Sequence, residues 1–239
     1  HMVGLIALRT GQVELGVESL RRSIALDPSD PSAYGNLANG LRDLGRHDEA
    51  LTAYDKALAL APTFLDALNN RANLFIKIGR HGDALADYDR ALAQNARIPS
   101  LHNQRANALR LLERHAEALE ACAAALALDP AHGDAHLNRA TVLSELGRYE
   151  EAVADYEACL ALNPDRPEAQ FYSGAALLAL GDYERGWVRY EARTRLKGQW
   201  RVVSGLDDAA PAWFGETPLA GKTLLLHAEQ GLGDTIQFS

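Results

Sequence analysis

Apolar residues recur three and four positions apart in runs of 12–14 residues along most of this chain. That spacing places the apolar side chains on one face of a helix, so the chain predicts a succession of amphipathic helices. The runs come in pairs. First members are expected near 31–44, 65–78, 99–112 and 133–146, and second members near 47–60, 81–94, 115–128 and 149–162. Pro28, Pro62, Pro130 and Pro164 stop the second runs, because Pro cannot continue a helix. Ala96 stands at that place in 65–98, which leaves its boundary the least defined.

Laid out in rows of 34, the residues themselves recur. One column reads Ala38, Ala72, Ala106, Ala140, Gly174, a second Ala50, Ala84, Ala118, Ala152, Gly186, and a third Ala57, Ala91, Ala125, Cys159. Tyr54, Tyr88, Cys122, Tyr156 and Tyr190 share a fourth, and Gly45, Gly79, Gly147 and Gly181 fill the turn between paired runs. Two helices approach to about 8–10 Å only where facing side chains permit it, so the Ala columns mark the seam within a pair. Glycine at the turn suits a helix end that needs a left-handed residue. Glu113 breaks that column and predicts a different or strained turn. This period, with small, aromatic and Pro positions in this order, resembles the tetratricopeptide repeat (TPR), a helix–turn–helix unit.

The resemblance spans about residues 3–196 and implies an all-α fold, a right-handed superhelical solenoid of antiparallel helix pairs with five to six repeats. A partial repeat would occupy 3–30, full repeats 31–64, 65–98, 99–132 and 133–166, and a divergent repeat 167–196. The partial repeat starts within its first helix, without a polar cap. The natural protein is therefore expected to extend toward its N-terminus, or to have this end covered by a partner. His1-Met2 reads as a cloning scar.

Composition removes several classes. A net charge of −8 argues against a nucleic-acid partner. No apolar run reaches the ~18 residues that span a bilayer, and the first residues lack a signal peptide's pattern. Cys122 and Cys159 fall in columns otherwise held by Tyr or Ala and read as buried free thiols. A cytoplasmic location without membrane association is the expectation. Residues 185–201 run against the acidic balance with six basic groups and one acid, Glu191: a solvated helix face or a docking surface.

Beyond Gly198 the period is lost. Residues 197–222 read as a connector, Lys222 to His227 as a buried strand, Ala228 to Gly233 as a glycine-bearing loop, and Asp234 to Phe238 as the start of a helix. Strand, glycine loop and helix start are how Rossmann-like domains open, although the third glycine of the dinucleotide fingerprint is absent. Pro211, Trp213, Gly215, Leu219, Gly221-Lys222-Thr223, Glu229-Gln230-Gly231 and Gly233-Asp234 together resemble bacterial TPR proteins that continue into a glycosyltransferase domain of the heptosyltransferase-like group. The resemblance implies that 223–239 begin such a domain, that Gly231 and Gly233 belong to a phosphate or sugar loop, and that Asp234 is a candidate base in the full-length enzyme. The rest of that domain is missing, so the chain as given is expected to have no catalytic activity and no cofactor. Residues 202–239 are expected to have no independent fold, and to lie against the last repeats or a neighbouring chain through Trp187, Trp200, Trp213 and Phe214.

The first helices carry two polar columns three residues apart. Asn36, Asn70, Gln104, Asn138 and Tyr172 form one, Asn39, Asn73, Asn107 and Thr141 the other. In stacked TPRs the first helix lines the concave groove, and an amide both donates and accepts, as binding an extended peptide backbone requires. The TPR half of O-linked N-acetylglucosamine transferases carries such a ladder. Asn36, Asn70 and Asn138 match its column, while Gln104 and Tyr172 depart from it. The same amides are also suited to bonding neighbouring helices and fixing repeat spacing. Arg71, Arg105 and Arg139 stand where TPRs usually bury a Leu, as Leu37 does. Asp87 and Asp155 follow Arg71 and Arg139 by sixteen residues, which favours buried ion pairs over ligand contacts. Arg105 meets Ala121 at that offset and needs another partner, or faces the groove. His47, His81 and His115 recur in one column, but helices about 10 Å apart cannot share zinc at ~2 Å bonds, so no metal site is expected and the column reads as packing. His102 and His136 read as structural.

Three functions follow from this reading. The first is a peptide-binding interaction module that presents targets to a glycosyltransferase domain. The second is a sugar-nucleotide-binding fragment acting through Gly231 to Asp234. The third is a scaffold that self-associates through its uncapped ends or its tail.

Overall fold

Each pair of amphipathic runs forms a pair of helices, and the physical reasons sit at their ends. This computed structural model describes residues 1–196. The connector, the strand, the loop with Gly231, Gly233 and Asp234, and Trp200, Trp213 and Phe214 lie outside the described residues. The helices are α1 (Met2–Arg9), α2 (Val13–Leu26), α3 (Pro31–Asp43), α4 (His47–Leu60), α5 (Leu65–Lys77), α6 (His81–Gln94), α7 (Pro99–Leu111), α8 (His115–Leu128), α9 (Gly133–Glu145), α10 (Tyr149–Leu162), α11 (Pro167–Ala179) and α12 (Tyr183–Tyr190). A short 3-10 helix, Glu191–Arg195, follows, and there is no strand among the described residues.

The described residues divide into two compact units, one spanning His1–Pro164 and one beginning at Asp165. In the first, α1 packs on α2, α3 on α4, α5 on α6, α7 on α8 and α9 on α10, and the second helix of each pair packs on the first helix of the next. In the second, α11 packs on α12 and on the 3-10 helix.

The turn inside each pair is a Schellman motif. After α3, the Gly45 N–H donates to the Arg42 carbonyl at 2.9 Å and the Arg46 N–H to the Leu41 carbonyl at 2.9 Å, with Gly45 at φ 75°. Glu113 makes the same turn rather than a different one. Its N–H reaches the Arg110 carbonyl at 2.9 Å and the Arg114 N–H reaches Leu109 at 2.9 Å, which forces a non-glycine residue to φ 59°.

Helix α6 ends in register although its row lacks the Pro. Asn95 is extended at φ −146°, and its side chain accepts from the Arg97 N–H at 3.0 Å. Asp27 and Asp129 form the same local bond with Ser29 and Ala131 at 3.0 Å each. The polar residue at the helix end is therefore a sufficient stop.

Ala38, Ala72, Ala106, Ala140 and their counterparts Ala50, Ala84, Ala118 and Ala152 are all fully buried along the seams. In the second unit the seam is tighter still. A Cβ built on Gly174 would lie 2.5 Å from the Tyr190 backbone nitrogen, so only glycine allows α11 and α12 to meet there.

Candidate functional site

Three-residue spacing puts both amide columns on one face of α3, α5, α7 and α9, but the structure gives the columns different work. The Asn39–Asn73 column turns partly inward. The Tyr54 hydroxyl donates to Asn39 Oδ1 at 2.5 Å, and the Tyr88 hydroxyl donates to Asn73 Oδ1 at 2.7 Å. Both rings are in the core, where a hydroxyl needs a partner. Burial pushes the Tyr54 phenol up to about 12, and that of Tyr88 further in the same direction. Each Tyr follows its Asn by fifteen residues, from the second helix of the pair to the first. Where Cys122 replaces the Tyr, Asn107 instead accepts from Arg110 Nη2 at 3.2 Å. At the fourth position Tyr156 lies 3.3 Å from the Ser144 hydroxyl, and Thr141 donates to the Leu137 carbonyl at 2.8 Å.

The Asn36 column reaches between repeats. Gln104 Nε2 donates to Asn73 Oδ1 at 3.2 Å, and Asn138 Nδ2 donates to Asn103 Oδ1 at 2.8 Å. Asn36 Nδ2 is 3.0 Å from His1 Nε2, and the Asn70 amide makes no hydrogen bond among the described residues. Unused polar atoms therefore remain on this face: the Asn70 amide, the Nδ2 groups of Asn39 and Asn73, and Asn138 Oδ1. None of them is enclosed without a partner. Asn69 and Asn103, beside this column, escaped the sequence reading. Asn103 is buried beneath Asn138, and Asn69 Oδ1 is buried without a partner. Their own 34-residue spacing was the signal available.

The arginine column forms ion pairs. Arg71 grips Asp87 with two bonds of 2.7 and 2.6 Å, and Arg139 grips Asp155 with two of 2.6 Å. Arg71 also bonds Asp55 of the preceding second helix, and Arg105 donates to Asp89 there at 2.6 Å. Arg105 thus finds its partner sixteen residues back, where Ala121 offers none sixteen residues ahead. His136 closes the last cluster, with Nδ1 2.9 Å from Asp155 and Nε2 3.0 Å from the Pro130 carbonyl oxygen. His102 lies 2.9 Å from the Ala96 carbonyl oxygen. His47, His81 and His115 open their helices with Nδ1 buried and without a hydrogen bond among the described residues, and His115 Nδ1 lies 3.6 Å from Glu145.

Elsewhere, burial pushes the Cys122 thiol up to about 12, leaving it a poor nucleophile. The described basic residues of 185–201 are engaged: Arg185 with Asp182 at 2.9 Å, Arg189 with Ser173 at 2.6 Å, Arg193 with Glu191 at 2.6 Å, and Arg195 with Gln170. Among the described residues no group of three His, Cys, Asp or Glu side chains is placed to hold a metal. No described helix is long and apolar enough to cross a membrane.

Three family models described as tetratricopeptide repeat match residues 31–64, 69–133 and 107–172. No curated protein matches. Among solved structures, a tetratricopeptide repeat protein from Parabacteroides merdae is 21% identical, with a TM-score of 0.72 over 80% of this chain and 76% of its own. PilF of Pseudomonas aeruginosa is 21% identical, with a TM-score of 0.70 over 82% of this chain and 89% of its own. YrrB, described as a TPR protein with an unusual peptide-binding site, is 21% identical with a TM-score of 0.60, over 77% of this chain and 94% of its own. At these identities the likeness is one of fold.

Proposed function

The chain belongs to the tetratricopeptide repeat family, and we propose that it binds an extended peptide segment across the amide face of α3, α5, α7 and α9. The observation that carries this reading is the set of unspent donors and acceptors at Asn39, Asn70, Asn73 and Asn138, repeated along one face. Such groups hold a peptide backbone while reading little of its sequence. The peptide-binding site named for YrrB is a precedent within the fold. The resemblance of the last forty or so residues to TPR–glycosyltransferase proteins supports a role in presenting bound targets to such a domain, with Gly231, Gly233 and Asp234 in its first loop.

The bonds from Gln104 to Asn73 and from Asn138 to Asn103 favour a second role, fixing the spacing between repeats. A triple variant, N36A/N70A/N138A, separates the two. Under the peptide reading each lost bond weakens binding by about 0.5–1.5 kcal/mol, nearly additively, on an array of extended peptides. Melting then falls only by what the buried Asn103 loses with Asn138, which the single variant N138A measures. A variant that melts several degrees lower yet keeps its peptides would overturn the peptide reading in favour of spacing.

A further inference from the structure

A hollow of about 430 Å³ opens among α8, α9 and α10, within the range of small-ligand sites. Leu119 and Ala154 wall it, Leu143 lies beneath, and two ion pairs edge it: Arg139 with Asp155, and Arg148 with Glu151. Moving back 68 residues, two repeats, finds the same constellation. Leu51 and Ala86 replace Leu119 and Ala154 in kind, Arg71 pairs with Asp87, and Arg80 pairs with Asp83 at 2.7 Å. One position changes character: Phe75 stands where Leu143 stands.

Phe75 shows what such a site holds. Its ring is 6% exposed, with the Arg80 guanidinium 4.5 Å from its centre and that of Arg71 5.6 Å away. Both distances fall within the ~6 Å reach of cation–π attraction. At the later site the two arginines remain, each fixed by its carboxylate, and the ring is gone.

We propose that this hollow is a binding site for one aromatic side chain of a partner protein, seated over Leu143 and against the Arg139 and Arg148 guanidinium groups. The walls favour an apolar body. The charges favour a ring over an aliphatic chain, because a fixed cation attracts a π face. An anion is disfavoured, since Glu151 and Asp155 already neutralise both arginines. None of these residues belongs to the amide columns, so the two sites stand or fall separately.

The test is an NMR titration of the whole chain with N-acetyl-L-phenylalaninamide, using N-acetyl-L-leucinamide as the control. The Leu119 and Leu143 methyls and the Arg139 and Arg148 Nε–H groups are the reporters. The expected result is saturable shifts with the aromatic probe, at least fivefold weaker with the leucine probe. Leu143→Phe fills the hollow from within, and should abolish the shifts while raising Tm by a few degrees. Phe75→Leu, if folded, should gain a second set of shifts at Arg71 and Arg80; otherwise Leu143→Phe decides alone. No saturable shift, an equal response to both probes, shifts that persist in Leu143→Phe, or a folded Phe75→Leu without the second set would each overturn the proposal.

Discussion

Asn73 and Asn70 differ by one turn of helix and by what they hold. Asn73 carries the hydroxyl of a core tyrosine, whereas Asn70 holds nothing among the described residues. Replacing Asn73 with Ala strands the Tyr88 hydroxyl in the core, at a cost of about 1–3 kcal/mol, while Asn70→Ala should stay within about 0.5 kcal/mol. Denaturant titrations of both variants check this, and adding Tyr88→Phe to Asn73→Ala should recover part of the loss. Glu113 is the other residue whose environment is at odds with its chemistry. A side chain in the left-handed region costs roughly 1–2 kcal/mol, and glycine's greater freedom when unfolded returns part of it. Glu113→Gly should therefore stabilise by about 0.5–1 kcal/mol. A thermal scan would read that as a rise of roughly 1–4 °C.

At the level of elements, the arginines tie a first helix to the second helix on either side of it. Arg71 reaches both Asp55 before it and Asp87 after it, Arg105 only backward, and Arg139 only forward. Burial decides how much each tie contributes. Side-chain exposure is 14% for Arg71 and 3% for Asp87, but 25% and 51% for Arg105 and Asp89. Breaking a buried pair from one side leaves an uncompensated charge and costs about 3–5 kcal/mol. Asp87→Ala should fall at the low end, because Asp55 remains for Arg71. Asp89→Ala should cost less than about 1 kcal/mol, since water screens an exposed carboxylate. Equal losses in the two variants, measured by chemical denaturation, would contradict this account.

The molecule as a whole should tolerate neutral pH well and fail at the alkaline end. Tyr54 is held neutral up to about 12 by burial, whereas an unfolded tyrosine ionises near its ordinary value of 10.0. The stabilisation is fully present below pH 10 and is lost as pH rises toward 12, because the unfolded chain can then ionise while the folded one resists. Tyr88 acts in the same sense. Tyrosinate absorbance and loss of helical circular dichroism should rise together over that window; ionisation that precedes unfolding would show the rings to be less enclosed. On the acid side, hydrogen bonds from Arg46, Arg114 and Arg148 hold Glu49, Glu117 and Glu151 below the usual 4.5. Their contribution is present above that value and fades as pH falls below it. All three are exposed, so the acid decline should be shallow.

Period, composition and local chemistry were enough to read the helices, because each depends on residues within a turn or two. Apolar spacing set the pairs, glycine and polar stops set their ends, and the Ala columns set the seams. The pairing of Arg71 with Asp87 and of Arg139 with Asp155 was also legible, since a strict repeat turns a spatial contact into a constant offset in sequence. Contacts whose offset varies needed the structure. Gln104 crossed 31 residues to Asn73 and Asn138 crossed 35 to a buried Asn103, whereas Arg105 reached Asp89 at the same sixteen residues back that join Arg71 to Asp55. Sequence places Asn39 and Asn36 alike on one polar face. Only tertiary packing brings a core hydroxyl to the first and leaves the second facing outward, because a hydrogen bond depends on what lies across the seam. The same holds for Phe75 and Leu143, which differ by one side chain in the sequence and by a filled or open site in space.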